Sequence, residues 1–333
     1  MKTNLIEKIL KTIRYYEMVR PGDIILAAVS GGPDSIFLAH ALNKLKKKLG
    51  IQHLVICNLD HGLRGSESAE DSRFVKEYAA SLGLDFIHKK VEIKKVKAKN
   101  ISVEEAARET RYKFFNEAAG RIGAAVIATG HTLDDQAETV LMRLIKGASL
   151  KGIVGISPSR DEGSLRLIRP LIELEKPEIV NYLDENDIPY RIDSSNLEPV
   201  YFRNVVRAEI IPFLEKYNPR LKRVLSNLAE HLREDFEYIA GEKTRIRNEI
   251  SRKAGSGVEI KLKDIAVQPR AIQKEILRDS LVRAGGEVKK LSFRHWKEVE
   301  GLIRRKNSGN AVDLPGSVRA KRTESSLIFS KLP

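Results

Sequence analysis

A short apolar run from Ile24 to Val29 ends in Ser30-Gly31-Gly32-Pro33-Asp34-Ser35, after which Ile36 to Leu49 carries apolar side chains at helical spacing. A buried strand handed to a helix through two adjacent glycines constrains the fold more than any other feature of the chain. The carboxyl edge of such a strand is where open α/β sheets bind ligands. Glycines let the backbone approach a ligand closely, and the first N–H groups of the helix favour an anion. The Ser30 and Ser35 hydroxyls add donors, so the segment reads as a phosphate cradle. It matches neither G-x-x-x-x-G-K-[ST] nor G-x-G-x-x-G and supplies no lysine for a γ-phosphate, which argues against γ-phosphoryl transfer. The plainer reading is a Gly-Gly turn with Asp34 or Ser35 as cap; the apolar strand before it favours the cradle.

The pattern recurs. His53 to Leu59, Phe86 to Ile93 and Ala125 to Thr129 read as further strands. Glu70 to Leu82, Ile101 to Ile122 and Asp134 to Ile145 read as helices, the second opened by Ser102 and Glu105 at capping-box spacing and the third closed by Gly147. Strands alternating with helices predict an α/β fold with a doubly wound, mainly parallel sheet covered on both faces. A helix around Lys176 to Asn186 completes this unit, and a polar stretch from Asp193 to Asn204 leads out of it. Asn218-Pro219 marks a new helix start, and Leu221, Val224, Leu225, Leu228, Leu232, Phe236 and Ile239 follow at steps of three and four. Alternation around Pro315-Gly316 predicts a terminal hairpin from Ala311 to Phe329. The expected organisation is a catalytic domain over 1–216, including a linker segment 190–216, and a smaller mixed α/β domain over 217–333.

Charge is uneven along the 333 residues. Of the net +14, residues 1–220 carry +4 and residues 221–333 carry +10, which points to a polyanionic partner of the C-terminal part. A merely soluble basic domain would look the same. Cys57 is the single cysteine, so the chain has no internal disulfide, paired-cysteine zinc site or cysteine-ligated iron–sulfur cluster. The charged first twenty residues do not fit a signal peptide and no run reaches the ~18 apolar residues of a membrane span; the expected address is the cytoplasm.

Ser-Gly-Gly-x-Asp-Ser after a buried strand resembles the fingerprint of the PP-loop ATP pyrophosphatases. That resemblance implies a loop holding the pyrophosphate portion of ATP and cleavage between the α and β phosphates, leaving AMP on a substrate oxygen. Asn58-Leu59-Asp60-His61-Gly62-Leu63-Arg64, Glu104-Glu105-Ala106-Ala107-Arg108 with Arg111-Tyr112, Gly130-His131-Thr132-Leu133-Asp134-Asp135-Gln136-Ala137-Glu138-Thr139, and Asp193-Ser194-Ser195-Asn196 with Arg203-Asn204 and Arg207 are, in that order, similar to the tRNA(Ile)-lysidine synthetases. The resemblance spans roughly the first two-thirds of the chain. It implies that ATP adenylates the wobble cytidine of a CAU-anticodon isoleucine tRNA and that free lysine then displaces AMP to give lysidine. It further implies ATP contacts from Ser30, Gly31, Gly32, Pro33, Asp34, Ser35, Asn58, Asp60, His61, Gly130 and His131, Mg2+ held mainly by nucleotide phosphates with Asp34, and a homodimer.

The residues themselves fit both steps. Asp134 and Glu138 stand four apart on one helix, so both carboxylates face one crevice and can hold a lysine ammonium. One of them can take its proton when it becomes a nucleophile. As plainer readings, Asp134 and Asp135 complement a helix dipole and Glu138 is a solvated face residue. Arg111 and Arg203 are candidates for charge developing on the α-phosphate; Arg64, Arg108, Asn196, Asn204 and Arg207 are candidates for tRNA or phosphate contacts. With Asp34, Asp134 and Glu138, Arg111 and Arg203 make up the expected catalytic set. His295 and Trp296 could stack on RNA, although a lone tryptophan is more often core. Thr132 stands where the family is expected to carry a second histidine, and the chain resembles the short form with one C-terminal domain. Rival readings are a PP-loop tRNA thiolase, which Cys57 alone poorly supports, a small-molecule synthetase, and a non-catalytic RNA-binding protein.

Overall fold

The computed structural model describes residues 5–60, 62, 66–91, 103–192, 202–255, 257–304 and 309–332. The expectations placed on His61, Arg64, Ser102 and Asn196 lie outside the described residues. The chain divides into two compact units, residues 1–230 and 231–333, the step falling inside helix Leu221–Ile250. The step expected from the sequence is at residue 217, ahead of that helix.

In the first unit α1 (Leu5–Tyr15) precedes β1 (Ile24–Ala28), α2 (Pro33–Leu49), β2 (His53–Asp60), α3 (Ser66–Ser81) and β3 (Asp85–Lys90). Then come α4 (Val103–Ile122), β4 (Val126–Ala128), α5 (Leu133–Ile145), α6 (Leu150–Ile153), β5 (Ser159–Glu162), β6 (Leu165–Ile168) and α7 (Lys176–Glu185). The sheet runs β3-β2-β1-β4-β6-β5; every pairing is parallel except β5 with β6. Period-two alternation sorts the strand residues to two faces. Ile25, Ala27, Leu54, Ile56, Val126 and Ala128 bury against α1, α2 and α7, while Leu26, Val55, Cys57, Ile127 and Leu167 bury against Phe114, Phe115, Ala118 and Ala119 of α4. Both faces are covered, as the near-continuous apolar runs of β1 and β2 require. The antiparallel β5–β6 hairpin was not expected, because Ser-Arg-Asp-Glu of β5 is a polar edge strand without an apolar signature.

Beyond α7 a helical segment runs from α8 (Phe202–Val205) through a π-turn at Val206–Ile210 into α9 (Ile211–Glu215). α10 (Leu221–Ile250) follows. Asn218 does not cap it directly. Its side chain accepts from the Arg220 N–H at 3.0 Å, so Pro219 and Arg220 form a turn and the helix starts two residues later than expected. Ala137 and Val140 of α5 pack with Val206, Ile211, Leu225 and Ala229, which brings the π-turn, the start of α9 and the start of α10 against the helix bearing Asp134 and Glu138.

The second unit holds β7 (Ser251–Ala254), β8 (Gly257–Lys261), α11 (Leu262–Ala266), α12 (Arg270–Arg283), α13 (Phe293–Arg304), β9 (Ala311–Leu314), β10 (Val318–Arg322) and β11 (Ser326–Lys331). Its antiparallel sheet runs β7-β8-β11-β10-β9. The hairpin expected around Pro315-Gly316 is β9–β10. Trp296 is buried with Leu277, Leu302 and Phe329, so it belongs to the core. No described helix is long and apolar enough to cross a membrane.

Candidate active site

The loop between β1 and α2 is held by its own last serine. Ser35 Oγ accepts from the N–H groups of Ser30 at 3.1 Å and Gly31 at 3.2 Å and donates to the Gly32 carbonyl at 2.9 Å. Gly31 has φ +98°, a left-handed conformation that side chains other than glycine rarely adopt. Gly32 is the N-cap of α2 and Pro33 opens the helix, where a missing N–H costs nothing. Asn58 at the end of β2 donates to the Val29 carbonyl at 2.8 Å and accepts from Ser72 Oγ at 2.9 Å. It also pairs with His88 at 3.1 Å. Asn58 thus braces the entry to the loop, and Asp60 caps the turn after β2 by accepting from the Gly62 N–H at 2.7 Å.

β4 lies beside β1, so its following loop abuts the first. A side-chain carbon added to Gly130 would come within 3.1 Å of the Asp34 carbonyl and 3.3 Å of the Ser35 nitrogen, so any larger residue would push that backbone back by a few tenths of an ångström. His131 pairs with Thr129 Oγ1 at 2.9 Å, and burial, reinforced by the Arg169, Arg203 and Arg111 charges, pushes its imidazole down to about 4. It is neutral at pH 7. Thr132, at the position where a second histidine was expected, is the N-cap of α5 in a reciprocal capping box with Asp135. Asp135 therefore does complement the helix start, as the plainer reading held.

The two expected acids on α5 meet different partners. Asp134 accepts from the Lys176 backbone N–H at 2.8 Å and pairs with the Lys222 ammonium at 2.9 Å. Glu138, 1 % exposed, takes Arg207 in a bidentate pair at 2.6 and 3.1 Å and Arg203 Nε at 2.7 Å. Arg203 also reaches Asp135 at 3.0 Å. Burial opposes ionisation of Asp135, but Lys176 and Arg203 together hold its carboxyl down at about 2. Asn204 lies on the same helical segment, α8.

Lys176 closes the cleft. Its ammonium lies 3.4 Å from Asp135 and 3.8 Å from Asp34, linking the phosphate loop to the acidic helix. Asp34 Oδ1 is buried without a hydrogen-bond partner. Burial lifts the Asp34 carboxyl to about 6 against the pull of Lys176. An orphaned carboxylate oxygen beside a phosphate cradle fits a hard divalent cation carried mainly by nucleotide phosphates. Among the described residues no group of three or more His, Cys, Asp or Glu side chains forms a protein-only cage.

Arg111 and Arg108 lie in the first turns of α4, and Arg108 stacks on Tyr112 with 5.1 Å from guanidinium carbon to ring centroid. The Arg111 charge, like that of Arg203, acts on His131. Lys176, Lys222 and Arg191 were missed by sequence reasoning. Arg191 donates its N–H to the Gly31 carbonyl at 2.9 Å and pairs with Glu70 and Asp71 at 3.1 Å. Only Lys176 left a trace. Pro177 marks a helix start, and a cation there opposes the helix dipole unless carboxylates face it.

The parallel sheet, the loop after β1 and the glycine-tight approach of the β4 loop define a PP-loop nucleotide-binding unit, and residues 1–214 match the family model described as a PP-loop domain. The chain is 33% identical over 329 residues to the tRNA(Ile)-lysidine synthase of Clostridioides difficile, covering 98% of this chain and 70% of that protein. It is 32% identical over 341 residues to that of Geobacter sulfurreducens, covering 99% and 71%. This chain belongs to the tRNA(Ile)-lysidine synthase family. Among solved structures it is similar to the U34-tRNA thiolase NcsA of Methanococcus maripaludis, with its [4Fe-4S] cluster, at TM-score 0.57 and 19% identity over 69% of this chain and 78% of that one. That likeness is one of fold. Cys57, the lone thiol, is buried, and burial raises its pKa, which suits neither a cluster nor a persulfide.

Proposed function

We propose that this enzyme uses ATP to adenylate the wobble cytidine of a CAU-anticodon tRNA(Ile) and couples free lysine to it, releasing pyrophosphate and AMP. The observation that carries the reading is the Lys176 ammonium, which spans Asp34 of the phosphate loop and Asp135 of the acidic helix and so supports a single cleft for both chemical steps. The Ser30–Ser35 loop takes the β and γ phosphates, with Asp34 as the protein oxygen for Mg2+. Bound Mg2+ supplies charge neutralisation of the phosphates. Arg203 and Arg111 face the charge that develops at the α-phosphate.

The acids divide the second step. Glu138, engaged by two guanidinium groups, anchors Arg203 and Arg207. Asp134 already binds the Lys222 ε-ammonium at 2.9 Å, the group that free lysine presents, so Asp134 is the residue that receives the incoming ammonium and Lys222 gives way to it. Lysine must shed a proton before attack, because an ammonium has no lone pair. Arg108, Asn204 and Arg207 contact tRNA or phosphate, and the basic C-terminal unit adds affinity for the polyanion.

The test is incubation of the protein with ATP, Mg2+, lysine and CAU-anticodon tRNA(Ile), with AMP, pyrophosphate and nucleoside mass measured. Lysidine only when lysine and that tRNA are both present supports the reading. ATP turnover on a small molecule without tRNA, or none under any condition, overturns it in favour of a small-molecule synthetase or an RNA-binding protein.

A further inference from the structure

Beyond β4 the sheet carries a second concentration of cationic groups that neither the loop nor the Glu138 network uses. Arg169, directly after β6, is 4 % exposed. It donates from Nη1 to the Ser157 carbonyl, but its Nε has no acceptor among the described residues. Arg160 on β5 donates to Tyr112 Oη at 3.2 Å and lies 5.7 Å from that ring's centroid, and its buried Nε is likewise without an acceptor. Arg108 stacks on the same tyrosine at 5.1 Å. Two guanidinium groups thus share one aromatic ring with a third buried nearby. The single acid paired with Arg160 among the described residues is Glu162, at 2.5 Å.

Buried guanidinium groups normally use their donors on carboxylates or carbonyls, because unpaired charge in a low-dielectric site is strongly unfavourable. Here donors are left over and like charges crowd. Burial and then the Arg160 charge push Arg169 down to about 10. An anion bound at the exposed Arg108 and at Arg160, whose side chain is 36 % exposed, would relieve the crowding, with the buried Arg169 adding charge from behind. In the sheet order β1-β4-β6 the wall lies two strands from the phosphate loop, about 10 Å at the usual strand spacing, with His131 between. Arg169 directly follows β6 as Ser30 follows β1, so the wall and the loop lie at the same carboxyl edge of the sheet, where such folds bind their ligands.

We propose that Arg108, Arg160 and Arg169, arranged around Tyr112, form a phosphodiester-binding wall that holds the RNA backbone beside the reacting base. This rests on the RNA-modifying reading above and gives Arg160 and Arg169 a part that the sequence did not. The test uses the full chain with Arg108→Gln, Arg160→Gln and both together. Kd for a CAU-anticodon tRNA transcript is measured over a salt series, with the ATP KM at saturating tRNA and the thermal midpoint. The double variant binds tRNA about tenfold more weakly. The slope of log K against log salt becomes shallower by about 1.4, roughly 0.7 for each lost single-strand phosphate contact. The ATP KM stays within about twofold, and the midpoint without RNA is unchanged or higher, since crowded like charge is removed. An unchanged tRNA Kd and slope overturns the proposal, whether the midpoint falls, which marks a structural cluster, or the ATP KM rises, which marks a nucleotide site. A wild-type protein that makes no lysidine while the variants still show the shallower slope removes the reaction and leaves the wall. Lysidine formation with an unaltered slope removes only the wall.

Discussion

The phosphate loop and the acidic helix face the same cleft but are built on opposite principles. The Ser30–Ser35 loop is local. Its polar contacts come mostly from within six residues and from Asn58, and its rigidity comes from the apolar strand beneath it. The face of α5 is assembled from far along the chain, with Asp134, Asp135 and Glu138 meeting Lys176, Arg203, Arg207 and Lys222. The loop leaves a carboxylate oxygen of Asp34 unpartnered, whereas α5 has each of its three acids paired with cations. An open, preformed subsite suits a nucleotide bound in one geometry. A set of exchangeable ion pairs suits a cationic substrate that has to displace a resident ammonium.

The comparison breaks most visibly at Asp34. Replacing it by alanine removes the loop's one carboxylate, and tRNA-dependent pyrophosphate release falls by about 10³-fold, equivalent to roughly 4 kcal/mol, with the thermal midpoint little changed; quenched-flow assays check this. At Glu138 the loss is in folding. Glutamine leaves Arg203 and Arg207 without their buried counter-charge and lowers unfolding free energy by about 2 kcal/mol, discounted because both guanidinium groups are about one-third exposed. Urea titration measures it, and an unchanged midpoint would show the network to be energetically idle.

Gly130→Ala puts a methyl group 3.1 Å from the Asp34 carbonyl and displaces the start of α2 by a few tenths of an ångström. A weakening of ATP binding by about tenfold, near 1.4 kcal/mol, is expected by calorimetry, with tRNA affinity retained. The smallest effect at neutral pH concerns His131. Its folded pKa, about 4, lies below the ordinary histidine value of 6.5, so its contribution to stability is present above pH 6.5 and is lost as pH falls toward 4. His131→Gln flattens that part of the pH–stability curve and leaves stability above pH 7 nearly unaltered.

What could be read from residues alone follows the same division. β1, its loop and α2 announce themselves through apolar runs, paired glycines and helical spacing, all contained in one stretch of chain. Asp134 and Glu138 were legible as a pair because i and i+4 share a helix face, but their partners were not. Lys222 lies on α10 and Arg203 on α8, and no periodicity couples them to α5. Thr132 was legible as a departure and became intelligible only as the cap of α5. β5 was hidden by its polarity, and Arg160 and Arg169 with it, because the hairpin that brings them to Tyr112 has no turn or strand signature strong enough to read.

The division of labour between loop and acidic helix is tested most directly by single-turnover pyrophosphate release and lysidine formation in Asp34→Ala and Asp134→Asn, each with ATP and tRNA, with and without lysine. Asp134→Asn is expected to release pyrophosphate in a tRNA-dependent burst close to that of the wild type and to form lysidine at least about tenfold more slowly at low lysine, while Asp34→Ala loses both. Equal loss of the burst in the two variants would contradict separate roles for the two sides of the cleft.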